Sequence, residues 1–128
     1  MRDWQSPLSA ADVRRICLEN GLDISDSQWE LLEKWATLLL EVNQNINLIS
    51  RKETEFLWEK QILPCLALLI FRKFSPDADV CDFGTGGGLP GMLLAIVRPD
   101  LRLTLLDSRY KKIEVVQQMI DSLKISNA

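Results

Sequence analysis

"VCDFGTGGGLPG", residues 80–91, decides how this chain is read. Five of its six glycines lie among the eight residues from Gly84 to Gly91. A short apolar run interrupted by Asp82 precedes them, and "MLLAIV" follows. Glycines in such density clear side chains from a backbone that turns tightly or is approached closely. "DVCDF" (79–83) therefore reads as a strand and "GTGGG" as a loop. "PGMLLAIVR" (90–98) reads as a helix with Pro90 at its first position, where a missing N–H costs nothing.

Downstream, "LRLTLLD" (101–107) alternates and then runs apolar, as a second strand does. "SRYKKIEVVQQMIDSLK" (108–124) reads as a helix with Ser108 as its cap and Ile113, Val116, Ile120 and Leu123 on one face. Strand, loop, helix, strand, helix is the opening of a parallel α/β sheet. Upstream the pattern is helical. Ser9 and Asp12 form a capping-box pair, and Gly21 after Asn20 is a stop signal, which sets a helix over 9–20. Ser25 or Asp26 caps a longer helix with an apolar stripe at Leu31, Trp35, Leu38 and Val42. This helix ends near "NQNINL". A third helix is expected from about Thr54 to Arg72, kinked or broken at Pro64. The fold class is thus α/β, with a helical region over 1–75 and a partial α/β domain over 76–128. Two parallel strands cannot make a sheet buried on both faces. The expectation is a truncated chain or an interrupted reading frame, with completion of the sheet by dimerisation as the alternative.

Composition narrows the function classes. Hydrophobic residues make up 47% and charged residues 26%, enough for one core. Fifteen basic against eighteen acidic residues leave a formal charge of −3, which speaks against a broad basic nucleic-acid surface. No histidine is present, and Cys17, Cys65 and Cys81 lie far apart. A metal site and imidazole catalysis are not expected. The cysteines read as reduced core residues of a cytosolic protein. "MRDWQSPLSA" lacks the apolar stretch of a signal peptide, and "LALLIF" (66–71) is too short to span a bilayer, so no membrane association is expected.

Two registers compete for the glycines. Gly86-x-Gly88-x-x-Gly91 matches a dinucleotide fingerprint. Gly84-x-Gly86-x-Gly88 preceded by Asp82 matches the D-x-G-x-G-x-G pattern of S-adenosylmethionine-dependent methyltransferases. Asp107 lies 21 residues after Gly86 and 23 after Gly84, and it suits ribose hydroxyls in either register. Charge separates the two. A pyrophosphate needs backbone N–H donors and would be repelled by Asp82, whereas the methyl donor carries an ammonium and a sulfonium. The plain alternative is a tight turn, with Asp82 and Asp107 acting as helix caps.

"DFGTGGGLPGMLLAIVRPDLRLTLLDSRYKK" resembles the bacterial small-subunit ribosomal RNA (guanine-N7) methyltransferases, the RsmG/GidB family. The family carries D-x-G-[ST]-G-x-G-x-P-G, then LAI, RP and TLL[DE]S. "EVNQNINLIS" is similar to its WNKxxNLT segment, and "WEKQILPCLAL" to its RHxLDSL. Gln61 and Pro64 stand where that family has His and Asp, Lys60 where it has Arg, and Val42 where it has Trp. The resemblance spans about residues 31–128. It implies a Rossmann-like cytoplasmic enzyme that uses S-adenosyl-L-methionine to methylate N7 of a guanine in 16S rRNA. It also implies that Gly84 and Leu89 meet the cofactor through their backbones, that Gly86 and Gly88 shape the loop, that Asp82 faces the methionine end, and that Asp107 faces the ribose. Guanine N7 carries a lone pair and no proton, so alignment rather than a general base supplies the rate, and no catalytic residue is singled out. Arg109, Lys111 and Lys112 are candidate phosphate contacts, and Asn43, Asn45 and Asn47 candidate linings of the cofactor mouth. The alternatives are a dinucleotide-binding oxidoreductase fragment and a non-catalytic remnant serving as a binding module.

Overall fold

The computed structural model describes residues 7–128; the reading of the opening residues as lacking an apolar leader falls partly on residues outside that range. Three serines start the helices of the N-terminal part. Each accepts a hydrogen bond from the backbone N–H three residues on, and that residue's side chain answers the serine's own N–H. Ser9 with Asp12 opens α1 (Ala10–Glu19), Ser25 with Gln28 opens α2 (Asp26–Asn43), and Ser50 with Glu53 opens α3 (Arg51–Glu55). Each such cap contributes about 1 kcal/mol. Along α2 the stripe of Trp29, Leu32, Trp35, Ala36 and Leu39 is buried.

The helix expected from about Thr54 to Arg72, with a kink or break at Pro64, is in three pieces and begins at Arg51. After α3 comes a π-helical segment, Leu57–Ile62, then α4 (Leu63–Phe71). Proline explains the break. Pro64 has no N–H to offer, and its ring crowds the carbonyl four residues back. The Leu63 N–H reaches back to the Trp58 carbonyl, five residues away, and the wider turn absorbs the misfit. Trp58 then lies 5.4 Å from Trp29, ring centre to ring centre.

From residue 79 the α/β class appears as expected: two parallel strands with flanking helices. β1 (Asp79–Phe83) pairs in parallel with β2 (Arg102–Leu106), in the register Asp79 with Arg102 through Phe83 with Leu106. α5 (Gly91–Val97) crosses between them and is buried along its whole length. Pro90 immediately precedes α5 rather than being its first residue. The Arg98 guanidinium grips Asp100 through two 2.8 Å bonds and leans on the Phe74 carbonyl, while Asp100 accepts the Asp77 N–H. That knot fixes the turn into β1 against the end of α5. The paired alternation puts Val80, Asp82, Leu103 and Leu105 on the inner face. Cys81, Phe83, Thr104 and Leu106 lie on the outer face, where Phe83 is 88% exposed. Cys81, expected as a core residue, is therefore on the open face, a consequence of strand alternation.

α6 (Tyr110–Leu123) follows β2. Ser108 is not its cap. Arg109 precedes the helix without a side-chain cap, and the Asp107 carboxylate accepts the Arg109 N–H instead. Val116, Met119 and Ile120 are the buried face of α6. One apolar cluster runs from Val13 and Leu32 through Leu66 and Leu94 to Ile120 and Ile125. α2 packs on both α5 and α6. Among the described residues no helix is long and apolar enough to cross a membrane.

Candidate functional site

The glycine loop is tied down from three directions. From below, Asp82, 9% exposed, accepts through Oδ2 from the Thr85 hydroxyl at 2.6 Å and from the Gly91 N–H at 2.9 Å. From β2, the Leu106 carbonyl takes the N–H groups of Gly84 and Thr85, at 2.7 and 2.8 Å. From the end of β2, Asp107 Oδ2 accepts the Gly86 N–H at 2.8 Å. The Gly88 and Leu89 N–H groups turn back onto the Thr85 carbonyl.

The glycines divide by role. Gly84, Gly86 and Gly88 have φ of +78°, +57° and +99°, a region that side-chain-bearing residues enter at a cost. A Cβ on Gly84 or Gly86 would meet open space, so crowding is not what keeps those positions glycine. Gly91 is tight for a different reason. A Cβ there would stand 2.8 Å from Leu105 Cγ and 2.9 Å from Asp82 Oδ2. Gly87 backs onto Leu48 and Ile49, which belong to the turn after α2.

Of the expected site residues, Gly84 and Asp107 line one cleft of about 520 Å³ beyond the strand ends, together with Phe83, Leu106, Ser108 and Arg109. Gly86 touches its rim through Asp107. Asp82 is under the loop rather than on that lining. Hydrogen bonds from the Arg109 and Gly86 N–H groups hold the Asp107 carboxyl below its ordinary range, with smaller help from Lys112 and Arg109. Two donors occupy two of roughly four acceptor positions of a carboxylate, which leaves Asp107 capacity for hydroxyl donors. Beneath the loop, burial first and the Asp82 charge second push the Cys65 thiol up to about 11, which removes it as a nucleophile. Among the described residues no group of acidic, histidine or cysteine side chains is arranged to hold a metal.

The turn after α2, α3 and Lys112 of α6 form a second, larger cavity of about 950 Å³, with Asn43, Asn47 and Arg51 among its lining. Asn43 spends its side-chain oxygen on the N–H groups of Leu48 and Ile49, shaping the turn that supports Gly87. Asn45 is not on this lining. Sequence reasoning missed two contributors. Thr85, the partner of Asp82, could have been read from its place in "GTG". Asn127, whose side-chain nitrogen donates to the carbonyls of Ala95, Arg98 and Leu101, had no local signal.

A parallel strand–loop–helix–strand unit with a glycine-rich turn and an acid closing the second strand defines the opening of a Rossmann-like α/β fold. Residues 28–128 match the family described as rRNA small subunit methyltransferase G, GidB. The chain is 46% identical over 113 residues to a Chlorobium limicola protein, covering 88% of this chain and 51% of that one. A Flavobacterium johnsoniae protein is 43% identical over 105 residues, 82% of this chain and 50% of that one. A Moorella thermoacetica protein is 36% identical over 105 residues, 82% and 44% respectively. All three are named ribosomal RNA small subunit methyltransferase G. The chain belongs to this family, and it spans about half the length of the curated relatives it matches.

Proposed function

We propose that this chain carries the cofactor-binding half of an S-adenosyl-L-methionine-dependent methyltransferase that acts on N7 of a guanine in 16S rRNA. The supporting observation is where the loop's donors point. Six of the eight residues 84–91 (Gly84, Thr85, Gly86, Gly88, Leu89 and Gly91) give their N–H to acceptors within the protein, and Pro90 has none. A pyrophosphate would find no row of free donors there, which speaks against the oxidoreductase alternative, as family membership does. A ligand with cationic groups and ribose hydroxyls needs bare backbone, carbonyls and carboxylates, and those are present.

In this reading residues 1–75 are a helical support and 76–128 a partial cofactor domain. Gly84 and Leu89 offer backbone to the cofactor, and Gly86 and Gly88 hold the loop open for it. Asp107 takes the ribose hydroxyls. Asp82 clamps the loop and sets a negative charge beneath the methionine end. The bound cofactor would supply an activated methyl group. The chain's part is to fix that group's position while N7 of the guanine lines up with it. The place of work is the cytoplasm, and the partner is 16S rRNA or the small ribosomal subunit.

Calorimetric titration of S-adenosylhomocysteine into the chain, with NAD as control, tests this reading. Binding of the first alone is expected. Binding of NAD alone would overturn it, and binding of neither would favour the non-catalytic remnant. Gly86→Asp places a carboxylate opposite Asp107 in the bare approach and is expected to abolish the binding; unchanged affinity would remove the loop from the site.

A further inference from the structure

We infer that the 950 Å³ cavity between the α2–α3 turn and α6 is a nucleotide-binding site for single-stranded RNA, adjoining the methyl-donor cleft. The inference rests on the RNA methyltransferase reading above and names where the strand is held. The volume lies within the roughly 300–1,000 Å³ of ligand-binding clefts. Its lining is mostly polar and comes from two distant parts of the chain.

Arg51 stands on α3 and Lys112 on α6, and both line the cavity. Neither makes an ion pair among the described residues, as is true of most cations of this chain, but these two meet at one cavity. Two cations on one cavity lining, Arg51 and Lys112, the second also drawn on by Asp107, favour an anion locally on a chain whose net charge is −3. Glu53 also lines the cavity and keeps its negative charge there, with Oε2 turned to the Ser50 N–H in the capping box, so the two cations outnumber it.

Asn47 and Gln44 are exposed at the same cavity. A carboxamide offers both donor and acceptor, as base edges do, and unstacked bases of single-stranded RNA are read in this way. Phosphate on the cations and a base edge on the amides is the pairing that such a lining fits. The cavity is also coupled to the cleft. Lys112 acts on the Asp107 carboxylate, and Leu48 and Ile49, on the cavity lining, pack behind Gly87 of the glycine loop. An RNA strand held here lies beside the glycine loop.

The test uses fluorescence anisotropy of a labelled single-stranded oligouridine with one central guanosine, titrated with the full chain. Reversing both cavity cations (Arg51→Glu with Lys112→Glu) is expected to weaken binding about tenfold or more. The control pair Lys34→Glu with Lys73→Glu, which makes the same charge change elsewhere, is expected to stay within about twofold, because screening mutes distant charges. Neutralising Lys112 alone (Lys112→Gln) is expected to lower the salt dependence by about one phosphate contact, and Lys112→Arg to restore it. Equal losses in cavity and control pairs, or no RNA binding by the unaltered chain, would overturn the inference. S-adenosylhomocysteine calorimetry on the same proteins separates the two readings. RNA binding that depends on the cavity without homocysteine-ligand binding would sink the methyl-donor reading and leave the cavity site standing. The reverse result would do the opposite.

Discussion

Gly91 and Gly84 are both glycines of the loop, yet they are glycine for opposite reasons. At Gly84 the space is open and the backbone is left-handed, at φ +78°. At Gly91 the backbone is helical and the space is filled by Leu105 and Asp82. Gly91→Ala would gain helix propensity of up to about 1 kcal/mol but must displace a branched carbon and a buried carboxylate, so a net loss of about 1–2 kcal/mol is expected. Urea unfolding measures it, and a stabilised variant would mean that the Asp82 clamp yields freely. Asp107 makes a different kind of prediction. Its carboxyl is held low by the Arg109 and Gly86 N–H groups. A depressed folded value means that its contribution is complete above the ordinary carboxylate value of about 3.9 and is lost as pH falls through the lower folded value. The stability gap between the protein and Asp107→Asn should be constant from neutral pH down to about pH 4 and close below it. A gap that does not change with pH would mean that the ionised carboxylate is not what the loop binds. At this scale the places of the acids and glycines, on the strands and in the turn, were legible, because five glycines in eight residues leave little else for that stretch to be. The direction in which the Asp82 oxygen points was not, since it depends on Thr85 and on Gly91 nine residues away.

The caps at Ser9 and Ser25 were readable from sequence because each closes over three residues. Ser50 with Glu53 has the same spacing and was readable by the same rule. Both strands and the two long helices were legible for a similar reason, since each has a clear period. The π-helical segment was not. Pro64 announces a break, but whether the chain kinks or widens is decided by what Leu57, Trp58 and Ile62 pack against. α6 illustrates the limit of cap rules: Ser108 has the right chemistry, yet the carboxylate one residue earlier takes the bond. α5 has only seven residues and ends on the side chain of Asn127, which lies beyond α6. That amide satisfies carbonyls at 2.9, 3.1 and 3.3 Å, and the Asn127 carbonyl accepts the Leu103 N–H. Asn127→Ala should destabilise by about 1–3 kcal/mol, and Asn127→Asp by more, because it sets a negative charge at a helix C-terminus. Urea midpoints of the two variants check the order. Equal midpoints would mean that solvent already serves those carbonyls.

The helical part and the α/β part share one apolar cluster. α2 bridges them: it packs on α5 and α6, and Gln28 at its start donates to the Val97 carbonyl at 3.3 Å. The opening sequence reading divides the chain near residue 75, where composition changes, and periodicity cannot reveal that the two stretches bury their stripes against each other. The distribution of tryptophan turns this into a measurement. All four tryptophans precede residue 76, whereas the candidate cleft is lined by residues 83–109. If the core unfolds as one unit, tryptophan fluorescence must report events in the α/β part as well. Leu94→Ala, in α5 and 2% exposed, removes core volume from the α/β part alone. It should lower the fluorescence midpoint in urea together with the circular-dichroism midpoint, at a cost of about 2–5 kcal/mol. On the proposed reading, S-adenosylhomocysteine should raise the same fluorescence midpoint by mass action. A fluorescence transition that stays fixed while circular dichroism moves would mean two separately folding units. The helices would then be a platform rather than part of the α/β part's core, and the support that Leu48 and Ile49 give Gly87 would be contact without shared stability.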